Sequence, residues 1–331
     1  MMKVIRFDLR RPLGSTLSAT DQYAACIEHV RWAERVGFDI VTLSEHHGTE
    51  DGYMPAPLTV ATAVAAITTR MSINISALLA IMHDPVRLAE ELAVVDIISK
   101  GRLSVIAGTG YREEEFQMAG IAFADRYRLL EECVVTLRAA WTGEYFDFRG
   151  RQVRVRPMPH TAGGPTLMLG GSTPVAARRA ARLNTLFSPA VDDPAVTQAY
   201  YDECTAVGYR GFAVVPSAKL PAFIHVSIDP ERDWQRIGPH ALFDAQTYSS
   251  WQRKGQHSVV HLKAHTIDEI KASGMYCVMT PEEVVASMQL HGLFVMHPLM
   301  GGISPDLAAE SLDLFEHQVL PMLAAQTPPA S

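Results

Sequence analysis

Short apolar runs recur at a nearly fixed interval along the first third of this chain, with strand candidates beginning near residues 4, 39, 72 and 103. The interval, about 30–35 residues, is the length of one strand–helix–strand unit. Between the runs, apolar residues return at helical spacing, as at Tyr23, Ile27, Val30 and Ala33. Such alternation specifies a parallel sheet with helices packed outside it. An open doubly wound sheet and a closed (β/α)8 TIM barrel both satisfy the pattern. No GxGxxG follows the first strand, and the alternation persists through most of the 331 residues, which favours the barrel.

The eight expected strands cover 4–9, 40–43, 71–79, 103–107, 166–169, 185–187, 223–228 and 293–299. Helix starts are marked by Asp84-Pro85, by Thr173-Pro174 and by the capping box Thr280-Pro-Glu-Glu283. Alternating runs around Arg149 and Gly150 predict a small hairpin. Residues 229–280 exceed what a barrel repeat needs and predict an insertion over the barrel mouth. The expectation is one domain over 1–325 and a frayed tail at 326–331.

The formal charge of −7 argues against a nucleic-acid partner. No apolar run approaches the roughly 18 residues of a membrane span. Cys26, Cys133, Cys204 and Cys277 are scattered without a CxxC pair and read as reduced thiols. With no signal-peptide pattern at the N-terminus, a cytoplasmic protein is expected.

The chemistry concentrates where strands end. The second strand runs directly into Glu45, His46 and His47, at the edge where parallel α/β barrels place their sites. Only one of two adjacent histidines on a strand can face the barrel axis; the alternative is a hydrogen-bonded structural pair. Metal chemistry is disfavoured, since a zinc barrel wants HxH on one face. His257, His261 and His265 have helical spacing but read as solvated. At Gly170-Gly171-Ser172-Thr173, two glycines permit close backbone approach and a helix start offers free amides. A phosphate site and a plain strand-to-helix turn both fit. Gly108-Thr109-Gly110-Tyr111 is a second such turn. Met54, Phe187 and Met300 suggest an apolar mouth and a hydrophobic substrate.

These motifs together resemble the bacterial luciferase-like flavin-dependent monooxygenases. The resemblance rests on Ala33-Glu-Arg-Val-Gly-Phe-Asp39, Ser44-Glu-His-His47, Asp84-Pro-Val-Arg-Leu-Ala-Glu90 with Ser99-Lys-Gly-Arg102, Gly170-Gly-Ser172 with Ala180-Ala-Arg182, and Thr280-Pro-Glu-Glu283. It implies a TIM barrel in which reduced FMN and O2 form a C4a-(hydro)peroxyflavin that oxygenates a small organic substrate. It implies His46 as the catalytic histidine, with Glu45, Leu78, Leu79, Gly108, Thr109, Tyr111, Gly170, Gly171, Ser172 and Thr173 around the cofactor. Leu78 and Leu79 would sit at a strand bulge under the flavin ring, where such proteins often carry a non-proline cis peptide. Thr109 stands where luciferase's catalytic chain has Arg, implying a different phosphate grip. A homodimer and a separate flavin reductase are further implications. F420-dependent dehydrogenases share this barrel, and some relatives are non-catalytic flavin-binding subunits, so both remain alternatives.

Overall fold

The computed structural model describes residues 1–217, 220–252, 258–259 and 261–326. Strands and helices alternate from the start: β1 (Met2–Phe7), α1 (Ala19–Arg35), β2 (Ile40–Leu43), α2 (Pro57–Ile67), β3 (Ser72–Leu78), α3 (Pro85–Ser99) and β4 (Leu103–Ala107). There follow α4 (Glu113–Ala119), α5 (Arg126–Ala140), the hairpin β5 (Phe146–Phe148) and β6 (Arg151–Val153), and then β7 (Thr166–Gly171), α6 (Pro174–Arg182), β8 (Leu186–Pro189), α7 (Pro194–Val207) and β9 (Phe223–Val226). The last part holds α8 (Pro230–Ser250), α9 (Ile267–Ser273), β10 (Tyr276–Met279), α10 (Pro281–His291), β11 (Leu293–Met296), α11 (Pro305–Leu314) and α12 (Leu320–Gln326).

Seven strands form one parallel sheet in the order β11-β1-β2-β3-β4-β7-β8. It curls into a half-barrel, with β9 and β10 as a separate parallel pair beside it. Among the described residues no ladder joins β8 to that pair; a single bridge, Phe187 to Ala213, extends the edge. The chain there carries Gly208, Gly211, Pro216 and Pro221, residues that weaken or interrupt a ladder. The expected eight-membered ring therefore appears as seven strands plus two. The surplus strand is β10, which lies inside the stretch expected to be an insertion. Much of that stretch is frame: α8 buries Trp234, Ile237, Ala241 and Ala245. His261 and His265 lie in non-helical chain, and His257 lies outside the described residues. Of the expected tail, Gln326 closes α12 and 327–331 are outside the described residues.

Local chemistry explains the element boundaries. Asp84 accepts from the Val86 and Arg87 amides, and Thr173 accepts from the Ala176 amide. Thr280 and Glu283 satisfy each other's backbone donors in a capping box. The hairpin turn places Arg149 and Gly150 both at positive φ, which matches a two-residue type I′ connection. The bulge in β3 lies between Ser76 and Leu78, with a cis peptide at Ser76–Ala77, so it sits two residues before the expected Leu78–Leu79. Thr280→Ala should remove one cap bond and cost about 1 kcal/mol. The urea midpoint should fall accordingly, and an unchanged midpoint would show that this helix start contributes nothing.

Candidate active site

A cavity of about 1230 Å³ opens at the C-terminal ends of the strands. Of the expected site residues, Glu45, His46, Leu79, Gly108, Thr109, Tyr111, Gly170, Gly171, Ser172 and Thr173 line it. Leu78 does not: it is 1% exposed and faces the core, while Ser76 and Ala77 take the wall position. Met54, Phe187 and Met300 are fully buried in the core and do not line this cavity, so its apolar lining comes from other residues. The strand-borne wall carries polar residues, Arg6, Thr42, Ser44, Asn74, Ser76 and Ser188, while Leu79, Ile106, Phe123, Leu130 and Val175 make much of the remaining lining apolar.

His46 lies three residues beyond the end of β2, in the loop. Its ring is held on both sides. Nδ1 is 2.7 Å from Glu115 Oε1, and Nε2 is 3.3 Å from the Tyr111 hydroxyl. Glu115 is a carboxylate and only accepts, so Nδ1 carries the proton and Nε2 is left facing Tyr111 and the cavity. Edge-on contacts with Tyr53 and Tyr111 and a tilted contact with Trp251 fix the ring plane. Glu115 also accepts from the His47 amide at 3.0 Å, and Arg112 Nη1 lies 3.6 Å away. Burial pushes the Tyr111 hydroxyl well above the usual tyrosine range, which keeps it a protonated donor.

Glu45 is bound on both carboxylate oxygens by its neighbours. One oxygen accepts from the Leu79 amide at 2.6 Å; the other meets His47 Nε2 at 2.7 Å and His83 Nε2 at 3.4 Å. It pins the end of β3 against the His-His loop. Burial pushes the Glu45 carboxyl up, but the bonds from His47, His83 and Leu79 outweigh that and hold it below its ordinary value. The bond to Glu45 raises His47, partly opposed by burial.

The opposite end of the cavity gathers a helix start, hydroxyls and glycines. The first turn of α6 presents amides without intrahelical partners next to Ser172 and Thr173. A Cβ on Gly171 would lie 2.4 Å from Ala176 Cβ, so this glycine is required by strand–helix packing whatever binds there. Two arginines that sequence reasoning missed complete this end. The Arg126 guanidinium lies 3.9 Å from the Phe123 ring and 4.2 Å from Tyr127, and pairs with no carboxylate among the described residues. Arg179 is tied to Glu131 at 2.9 Å. Both arginines line the same cavity as Thr109. Glu115 was also missed, although Glu113-Glu-Glu115 before an apolar pair and Gly120 is a helix-start signal.

The family profile described as luciferase-like monooxygenase matches residues 2–292. The chain belongs to that family. Its fold is shared with several solved luciferase-like proteins and their kin. One is monooxygenase RslO1 from Streptomyces bottropensis, at TM-score 0.75 and 23% identity, covering 97% of this chain and 99% of that one. A second is the oxygenating constituent of 3,6-diketocamphane monooxygenase from Pseudomonas putida, in complex with FMN, at TM-score 0.68, 16% identity and coverages of 97% and 98%. A third, an F420-dependent secondary alcohol dehydrogenase, gives TM-score 0.69 and 17% identity with the same coverages. The chain spans about half the length of the curated relatives it matches. No helix among the described residues of this luciferase-like chain is long and apolar enough to cross a membrane.

The Glu45–His47 pair has a pH signature. The lowered Glu45 contributes stability that is present above its ordinary 4.5 and lost as pH falls through its folded value. The raised His47 contributes stability that is full below its ordinary 6.5 and lost as pH rises through its folded value. Wild type should therefore exceed His47→Gln in stability most between 4.5 and 6.5, with the gap narrowing on both sides. Urea midpoints across pH check this, and a gap that widens steadily toward alkaline pH would contradict it.

Proposed function

We propose that the protein is a flavin-dependent monooxygenase that takes reduced FMN and O2 and transfers one oxygen atom to a small organic substrate. The observation that carries this reading is the Glu115–His46–Tyr111 chain, aimed into a cavity whose far end combines glycine turns with an unpaired guanidinium. The cavity exceeds the roughly 300–1,000 Å³ of ordinary ligand sites, which leaves room for a cofactor and a substrate together. Ser172, Thr173, Arg126 and Arg179 would hold the FMN phosphate. Ala77, Leu79, Gly108, Thr109 and Gly110 would meet the ring system through backbone and small side chains.

Reduced FMN, when bound, supplies the electrons that activate O2. The chain's own task is to position the reactants, exclude water and manage protons. His46 Nε2 is the proton-transfer atom: it receives a proton, and gives it to a cavity oxygen, while Glu115 stabilises the charged ring through Nδ1. Tyr111 shares Nε2 and steers the proton's direction. The same reading has FMN delivered by a separate reductase to an intracellular homodimer, and the half-barrel completed as a full (β/α)8 ring.

F420-dependent hydride transfer is the second reading. It draws support from the F420-dependent dehydrogenase, whose fold matches as well as that of the FMN-bound protein. Titrating purified protein separately with FMN and with F420, and following the visible spectrum of each, decides between them. Perturbation and tight binding by F420 alone would remove the monooxygenase reading.

His46→Ala should lower oxygenated product by about 10²- to 10⁴-fold with any substrate the wild type turns over. Flavin affinity and melting temperature should stay near wild type. A variant that loses its fold, or keeps full turnover, contradicts the role.

A further inference from the structure

Arg6 occupies an unusual place. It lies on β1 between Ile5 and Phe7, both buried on the helix-facing side, so its side chain points to the inside of the curled sheet and lines the cavity. Strand register sets it beside Thr42, Thr42 beside Asn74, and Asn74 beside Ser104. Asn74 Nδ2 donates to Ser104 Oγ at 2.8 Å. These residues form one continuous polar layer. It lies deeper than the Ser44–Ser76 level and well below the loops that carry His46 and Ser172. Barrel interiors are ordinarily packed with branched apolar side chains.

Among the described residues, the Arg6 side chain makes no hydrogen bond and no ion pair. No acidic group near the floor forms an ion pair with Arg6 among the described residues, although Asp8 Oδ2 has no hydrogen-bond partner there and borders a small cavity that Arg6 also lines. Asp8 Oδ1 accepts from the Arg10 amide at 3.3 Å and faces His297 Nε2 at 3.4 Å. Asp244 takes Arg10 at 3.1 Å and the Tyr276 hydroxyl at 2.5 Å. A cation withdrawn from bulk water is normally paired, because desolvation without a partner costs stability. Here it is left facing open cavity. The other unpaired guanidinium of the site, Arg126, stands at the opposite end beside the α6 amides, where a cofactor phosphate has its natural place.

We propose that Arg6 anchors the substrate, and that the substrate carries a carboxylate. The proposal rests on the monooxygenase reading for the word substrate, but not for the binding itself. A guanidinium offers paired donors at the spacing of two carboxylate oxygens, and such charge-assisted bonds are strong in a sheltered site. Thr42 and Asn74 flank it with further polar groups. Charge at both ends assigns the two occupants: phosphate to Arg126, carboxylate to Arg6. The polar floor would take the carboxylate, and the apolar lining at Leu79, Ile106 and Leu130 would take the rest of the molecule.

Calorimetric titration with hexanoate and benzoate, against hexanamide and benzamide, tests this without turnover. Titrations run with and without FMN, on wild type and on Arg6→Met, Arg6→Lys and Arg126→Met. Wild type should prefer each acid over its amide by at least about tenfold. Arg6→Met should lose the preference, Arg6→Lys should keep part of it, and Arg126→Met should keep it whole. The melting temperature of Arg6→Met without ligand should be unchanged or higher, since an unpaired interior charge is gone. Absence of a preference in wild type, its survival in Arg6→Met, or loss of FMN affinity rather than acid affinity in that variant would overturn the assignment. Failure of FMN to bind any of these proteins counts against the monooxygenase reading and leaves the acid-over-amide result standing on its own.

Discussion

The site depends on one buried carboxylate. Glu115 has no exposed side-chain surface, yet it lies against the His46 ring that lines the cavity. An isolated carboxylate in such a place would be costly. Bonded to His46 Nδ1 and the His47 amide, with Arg112 nearby, it becomes an anchor instead. It restricts the rotation and tautomer of His46 and leaves Nε2 as the nitrogen turned toward Tyr111 and the cavity. Glu45 does for the backbone what Glu115 does for the ring. It clamps the end of β3, where the bulge at Ser76 and Leu78 brings main chain to the cavity wall. Two carboxylates from two different segments therefore fix the cavity wall at the end of β3 and the orientation of the His46 ring.

Around these anchors the interior forgoes stability that an apolar core would have supplied. Serines, a threonine, an asparagine and Arg6 occupy positions facing into the curled sheet, and Arg126 stacks on Phe123 and Tyr127 without a counter-ion among the described residues. Local departures from good packing concentrate where a ligand must be accommodated. The helix-facing side compensates: Ile5, Phe7, Val41, Leu43, Ile73, Ile75, Leu103 and Val105 are all essentially excluded from water. The division is the period-2 alternation of each strand put to two uses.

What the sequence disclosed follows the same division. Caps at Asp84, Thr173 and Thr280, the hairpin at Arg149 and Gly150, and the first four strands were legible because their determinants are local. His46 and the glycine turns were legible because they sit at strand ends, where a parallel sheet exposes its loops. Glu115 was not, because α4 is a short helix in a long connection and its role comes only from packing against a loop nearly seventy residues away. Arg126 and Arg179 look like ordinary helix arginines until the cavity is seen beside them. Met54, Phe187 and Met300 misled for the converse reason: hydrophobicity says that a residue is buried but not whether it faces a core or a cavity. The strand β10 was hidden in a stretch whose length alone invited the reading of an insertion.

The coupling between Glu115 and His46 is the most direct measure of this account. Product formation in single turnovers should be compared for wild type, Glu115→Gln, His46→Ala and the double variant. If Glu115 acts by holding His46, Glu115→Gln slows the wild type at least about tenfold and changes little once the imidazole is gone. Equal losses in both backgrounds would mean that the two residues act independently, and the proton path described here would be wrong.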